Sequence, residues 1–171
     1  MILKRIKVLT ELKEYTNTYI IQDEVTKETM VVDPGGEVDK IVQMLDILGA
    51  RLKYIYLTHC HGDHIGGVCE LKNKKGGIIL IHRFDAEGLE NDKLSLTTYI
   101  GIDAKFESDS RLNDNDLIDK VPVVIITGND TKDAIKEVIG YQVLDVLNKP
   151  FSVDNIKRVL SLIENFHGNN E

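Results

Sequence analysis

Thr58-His59-Cys60-His61-Gly62-Asp63-His64 concentrates metal-binding chemistry. Five of its seven residues are zinc-ligand types, and it holds three of the five histidines in the chain. In extended backbone, residues two apart project to the same side, so His59 and His61 can share one metal. Asp63 and His64 follow at a turn and reach an adjacent position. Catalytic zinc takes few protein ligands and keeps one coordination place open. A second metal beside the first lets both ions share a hydroxide and clamp developing charge. The pattern predicts one or two metal ions. Zinc comes first, and iron or manganese also suit imidazole and carboxylate donors. Asp63 counts as a catalytic residue as well as a ligand.

The alternative is a polar loop that is merely rich in histidine, and three histidines in six positions weigh against it. A lone histidine reverses the balance. His82, single at a strand end, reads as structural, and His167 reads as solvated in a polar tail. Cys60 points away from His59 and His61 in an extended loop and reads as a small buried packing residue. Asp33 has two readings. It caps a turn, or it is a carboxylate holding a metal-bound histidine.

Elements must bring these groups together. Ile2–Leu9 reads as a strand. Thr18–Gln22 and Thr29–Val32 read as two more, joined by a hairpin loop at Asp23–Lys27. Asp33-Pro34-Gly35-Gly36 stops the third, with the glycines expected to supply unusual backbone angles. Val38, Ile41, Val42, Leu45 and Leu48 recur at helical spacing and Gly49 ends the run. Tyr54–Leu57 reads as a buried strand, Thr58–Gly67 as a loop, Val68–Asn73 as a short helix and Ile78–Ile81 as another buried strand. The histidine cluster thus follows the carboxyl end of a buried strand, where α/β sheets place their sites. Asp85–Leu89 reads as helical, and Asn113–Asp116 as a turn. Val123–Ile126, Thr131–Gly140, Val143–Leu147 and Val153–Phe166 then form a βαβα unit with two parallel strands. Ser152 caps its last helix. The fold class is α/β.

Composition narrows the partners. The chain has 171 residues and a net charge of −7, and its one basic run is Lys72, Lys74 and Lys75. That argues against nucleic acid, which needs clustered basic residues. No run approaches the roughly 20 apolar residues of a membrane span, and the first residues lack the apolar core of a signal peptide. Two cysteines do not make a disulfide framework. Thiols beside a potential metal site suit a reducing compartment, so the cytoplasm is expected.

The motif itself resembles the HxHxDH signature of the metallo-β-lactamase superfamily. The resemblance extends to Asn17 and Tyr19, Val32-Asp33-Pro34-Gly35-Gly36, His64-Ile65-Gly66-Gly67, Leu80-Ile81-His82 and the turn at Leu112–Ile118. It covers about residues 1–120 and is nearest the hydroxyacylglutathione hydrolase (glyoxalase II-like) branch. It implies that His59 and His61 bind a first zinc and Asp63 and His64 a second. It also implies a bridging hydroxide that attacks a thioester or related ester substrate. The family next has a histidine, a bridging aspartate and a final histidine. Ile125–Thr131 stands at the first of these places without a histidine, and none follows until His167.

Residues 119–166 resemble the last part of a response-regulator receiver. Thr127 and Lys149 match its phosphoryl-contacting threonine and lysine, although the acceptor aspartate of a receiver has no counterpart. The reading is therefore a chimera-like chain of two partial domains. Residues 1–118 form the front half of an αββα-type metallo-β-lactamase fold, 119–167 a receiver-like βαβα segment, and 168–171 a tail. Two full domains need about 200–300 residues, so neither active site is expected to be complete. The open face of the front half is covered by the βαβα unit or by a second copy of the chain in a homodimer. The expected function is a metal-dependent hydrolase with an incomplete ligand set. The alternatives are a non-catalytic protein holding at most one metal, or a receiver-like signalling module.

Overall fold

The β-branched runs of the first hundred residues pair into one sheet. The computed structural model describes residues 1–100, 105–113, 116, 118, 123–127, 143–148 and 152–168. They belong to two compact units, Met1–Leu112 and Asn113–Glu171.

In the first unit six strands lie side by side in chain order. They are β1 (Ile2–Leu9), β2 (Tyr15–Gln22), β3 (Glu28–Val32), β4 (Arg51–Leu57), β5 (Ile78–His82) and β6 (Ser110–Leu112). The first three pair antiparallel. Asp23 closes the β2–β3 turn by accepting from the Val25 and Thr26 amides and the Thr26 hydroxyl. From β3 onward the pairing is parallel. Parallel neighbours need crossovers, supplied between β3 and β4 by α1 (Val38–Ile47) and between β4 and β5 by α2 (Gly62–Ile65) and α3 (Val68–Lys75).

Helix α1 buries Val38, Ile41 and Leu45 against the sheet. Each fully buried aliphatic side chain contributes roughly 1.5–3 kcal/mol. The helix ends where Gly49 takes a φ of 59°. Its amide donates to the Asp46 carbonyl and that of Ala50 to the Leu45 carbonyl, the doubled closure that a left-handed glycine permits. The core under the sheet includes Val8, Ile20, Val31, Ile55, Leu57, Ile65, Leu71 and Ile81. The basic run at the end of α3 is paired with carboxylates: Lys72 with Asp109, Lys74 with Asp39 and Glu70, and Lys75 with Asp46.

Several sequence expectations need correction. Thr58–Gly67 is not all loop, because one helical turn, α2, sits inside it. A single buried apolar residue, Ile65, anchors that turn, too few for a helical period to register. Helix α5 (Thr97–Ile100) and strand β6 were not anticipated. Both are short, and β6 draws its pairing from β5. The helical reading at Asp85–Leu89 resolves into α4 (Arg83–Ala86) and a 3-10 turn at Glu87–Leu89.

In the second unit β7 (Val123–Thr127) and β8 (Val143–Asn148) pair in parallel, as the pattern predicts. Helix α6 (Val153–Gly168) follows and includes His167, which the sequence reading put in a tail. The predicted helix Thr131–Gly140 lies outside the described residues, as do Lys149 and Pro150. No helix among the described residues is long and apolar enough to cross a membrane.

Candidate metal centre

Strands β3 and β4 are parallel neighbours, with Val32 opposite Tyr56. The loops that follow them, 33–37 and 58–61, therefore leave the sheet side by side at its carboxyl edge. Asp33 opens the first loop and Thr58 the second.

Asp33 is only 5% exposed and has a φ of 51°, a conformation aspartate tolerates better than most residues. Its backbone holds the turn: its amide donates to the Tyr56 carbonyl, and its carbonyl accepts from the Gly35 amide and the Thr18 hydroxyl. Its carboxylate faces the second loop. Oδ1 accepts from the Thr58 amide at 2.8 Å, and Oδ2 accepts from the Thr58 hydroxyl at 2.6 Å. His64 Nδ1 lies 3.0 Å from the same Oδ2. The two readings of Asp33 are thus compatible, because backbone and side chain do different work.

The glycines after Asp33 act differently from expectation. Positive φ falls on Asp33 and Glu37, not on Gly35 or Gly36. Gly35 is required by close approach, since a Cβ there would lie 1.8 Å from the Asp63 carbonyl oxygen. Gly67 donates to the Pro34 carbonyl at 2.7 Å, binding the far end of the histidine loop to the same turn.

His59 is the centre of the cluster. Its ring centroid is 4.7 Å from that of His61 and 4.2 Å from that of His64. Asp63 Oδ2 lies 3.3 Å from His64 Nε2. One donor atom each from Asp33, His59 and His64 lie within 4.8 Å of one another. Imidazole nitrogen and carboxylate oxygen at this spacing fit a divalent ion such as zinc. The four motif residues are therefore neighbours, and among the described residues the donor group that meets this spacing takes in Asp33 rather than His61 or Asp63.

The two central rings differ in proton affinity. Burial lowers the His59 pKa, helped by the neighbouring His64 and His61 and opposed by Asp33 and Asp63. The hydrogen bond to Asp33 raises that of His64, with burial opposing and the Asp33 and Asp63 charges assisting. A proton shared by this pair therefore resides on His64.

Cys60 faces the core, with its sulfur against the backbone of Gly88. Burial pushes its thiol pKa up, which suits packing rather than ligation. His82 Nδ1 accepts from the Phe84 amide at the start of α4, a capping role. Among the described residues, two contributors had not been singled out. The Thr58 hydroxyl joins Asp33 to His59, and the Ser95 carbonyl accepts from the Gly62 amide at 2.8 Å. Thr58 was inside the motif, but its role depends on a carboxylate 25 positions away, and spacing carries no such information. Thr127 is the last residue of β7, and Lys149 lies outside the described residues.

The Metallo-beta-lactamase superfamily model matches residues 13–144, and the chain belongs to that superfamily. The match continues past residue 118 through β7, into the part that the sequence reading assigned to a receiver-like unit. The chain is 38% identical over 60 residues to "Hydroxyacylglutathione hydrolase GloC" of Haemophilus influenzae, which is 35% of this chain and 28% of that protein. It is 44% identical over 59 residues to "Probable polyketide biosynthesis zinc-dependent hydrolase PksB" of Bacillus subtilis, covering 34% of this chain and 26% of that protein. The matched stretches thus span about a quarter of these relatives' lengths. In three dimensions the chain is similar to the crystal structure of the BLEG-1 B3 metallo-beta-lactamase. The TM-score is 0.57 at 25% identity, over 65% of this chain and 53% of the other.

Proposed function

We propose that the chain is a metal-dependent hydrolase acting on a small thioester or related ester, with His59, His61, Asp63 and His64 as ligands. The observation that carries this reading is that the His59, His61 and His64 rings and the Asp63 carboxylate come together at the carboxyl edge of the sheet, with Asp33 bonded to His64 behind them. The hydroxyacylglutathione hydrolase and zinc-dependent hydrolase relatives support the substrate class and the metal. Zinc, when bound, lowers the pKa of a coordinated water to about 7 and polarises a carbonyl.

The protein's part is to hold the donors. Asp33 already accepts three hydrogen bonds, so it orients His64 rather than spending a lone pair on the ion. With Nδ1 of His64 engaged by Asp33, Nε2 is the nitrogen left for a metal. His61 is exposed and next to His59. Asp63 sits beside His64 Nε2 and completes the motif's donor set.

The test is metal content after purification together with thioester hydrolysis, using His61→Ala as control. Bound zinc and turnover that falls to background in the variant are expected. A wild-type chain that takes up no metal overturns the reading. A second reading, a non-catalytic protein with at most one metal per chain, is favoured by the lack of any histidine between His82 and His167. It predicts hydrolysis no faster than in His61→Ala.

A further inference from the structure

Thr58 stands between a carboxylate and an imidazole, and it has one hydroxyl proton. Its Oγ1 is 2.6 Å from Asp33 Oδ2 and 3.0 Å from His59 Nδ1. An ionised carboxylate can only accept. If the hydroxyl donated to His59, the shorter contact would set two oxygen lone pairs against each other. The proton therefore goes to Asp33, in a charge-assisted bond whose length is in keeping. Toward His59 the hydroxyl can then only accept, so His59 Nδ1 must carry a hydrogen. His64 Nδ1 meets the same Asp33 oxygen at 3.0 Å and is likewise a donor. One buried carboxylate thereby sets both rings, His64 directly and His59 through Thr58.

We propose that Thr58 is a positioning residue that fixes His59 in the Nδ1-protonated tautomer, leaving Nε2 as its donor atom toward a divalent cation. The proposal rests on the metal-site reading above, but the tautomer exists without a metal and can be measured without one. Sequence spacing alone could place His59 near a metal but left open which nitrogen it presents.

The experiment is nitrogen NMR of the histidine side chains in the full chain, metal-free, at a pH where both rings are neutral. Zinc affinity is then measured by competition with a chelator. His59 is expected to carry its proton on Nδ1 in the wild type and in Thr58→Ser, which keeps the hydroxyl. Thr58→Val, which keeps the shape and removes the acceptor, moves the proton wholly or partly to Nε2 and weakens zinc binding about 10–100-fold. A wild-type His59 protonated at Nε2 overturns the proposal, and this result needs no variant to fold. Unchanged tautomer or unchanged affinity in Thr58→Val overturns it equally. If the wild-type chain binds no zinc at all, the metal reading fails, while the tautomer measurement still decides the role of Thr58.

Discussion

Asp33 is the residue on which the site turns. It is buried, it accepts from both the amide and the hydroxyl of Thr58, and it holds His64. Asp33→Asn keeps the size but puts an amide where a carboxylate accepts three bonds. One of its two termini then meets a donor, and buried mismatches of this kind cost about 1–3 kcal/mol. Zinc affinity in this variant should also fall, by about 10–100-fold; chelator competition and thermal melting read the two effects separately. The proton affinities add a pH dependence. His64 has a raised pKa in the fold, so its pairing with Asp33 contributes stability below the ordinary value of about 6.5. That contribution is lost as pH rises through the folded pKa. His59 is depressed and behaves oppositely, so its burial costs stability as pH falls below about 6.5. A metal needs both rings neutral. Zinc affinity should therefore fall as pH is lowered toward the ordinary histidine value of about 6.5, beginning at a higher pH than for a free imidazole because the His64 pKa is raised. In Asp33→Asn the onset should move down, and an onset that stays put contradicts this account of His64.

At the scale of elements, two loops are held face to face by backbone contact. Gly35 lies directly against the carbonyl of Asp63, so the loop after β3 cannot accept a side chain there without displacing α2. Gly35→Ala should cost about 1–3 kcal/mol, as overpacking of a close contact does, and should weaken metal binding along with stability. Denaturant unfolding with and without zinc distinguishes this from a purely local effect. The short turn α2 follows from the same constraint. His61 accepts through its carbonyl from the amides of His64 and Ile65, and the buried Ile65 side chain pins the turn to the core. Asp63 and His64 are carried on that turn. Helix α1 and the central strands β4 and β5 were legible in the sequence because they have strong apolar periods or runs. Helices α2 and α5 and strand β6 were not, because three or four residues contain no period and their hydrogen bonds come from neighbours.

At the scale of the whole molecule, the chain is two compact units, and the donor cluster belongs to the first, Met1–Leu112. A ligand that binds only the folded state stabilises it by RT ln(1 + [L]/Kd), about 2.7 kcal/mol at a hundredfold excess over Kd. For a chain of this size that corresponds to a rise in Tm of roughly 5–10 °C. Zinc should produce this shift, a chelator should reverse it, and the combined variant His59→Ala/His64→Ala should abolish it. A shift that survives in the combined variant places the metal elsewhere. The receiver-like reading of residues 119–167 rested on the strand ending in Thr127 and the segment around Lys149, and the superfamily model, matching residues 13–144, takes in the first part of that stretch. Runs of Val and Ile recur wherever parallel strands are buried, so a strand such as β7 does not by itself distinguish the two folds.

By itself the sequence determined the donor types, their order and the alternation of strand and helix. These are properties of neighbouring residues, and His59, His61, Asp63 and His64 are neighbours. Tertiary structure decided which groups answer them. Asp33 is 31 positions from His64 and 25 from Thr58, and no local rule links them. They meet because β3 and β4 pair in parallel, which brings the two loops out together at one edge of the sheet. The tautomers of His59 and His64 follow from that meeting, because a buried carboxylate can only accept and so dictates where every nearby proton must lie.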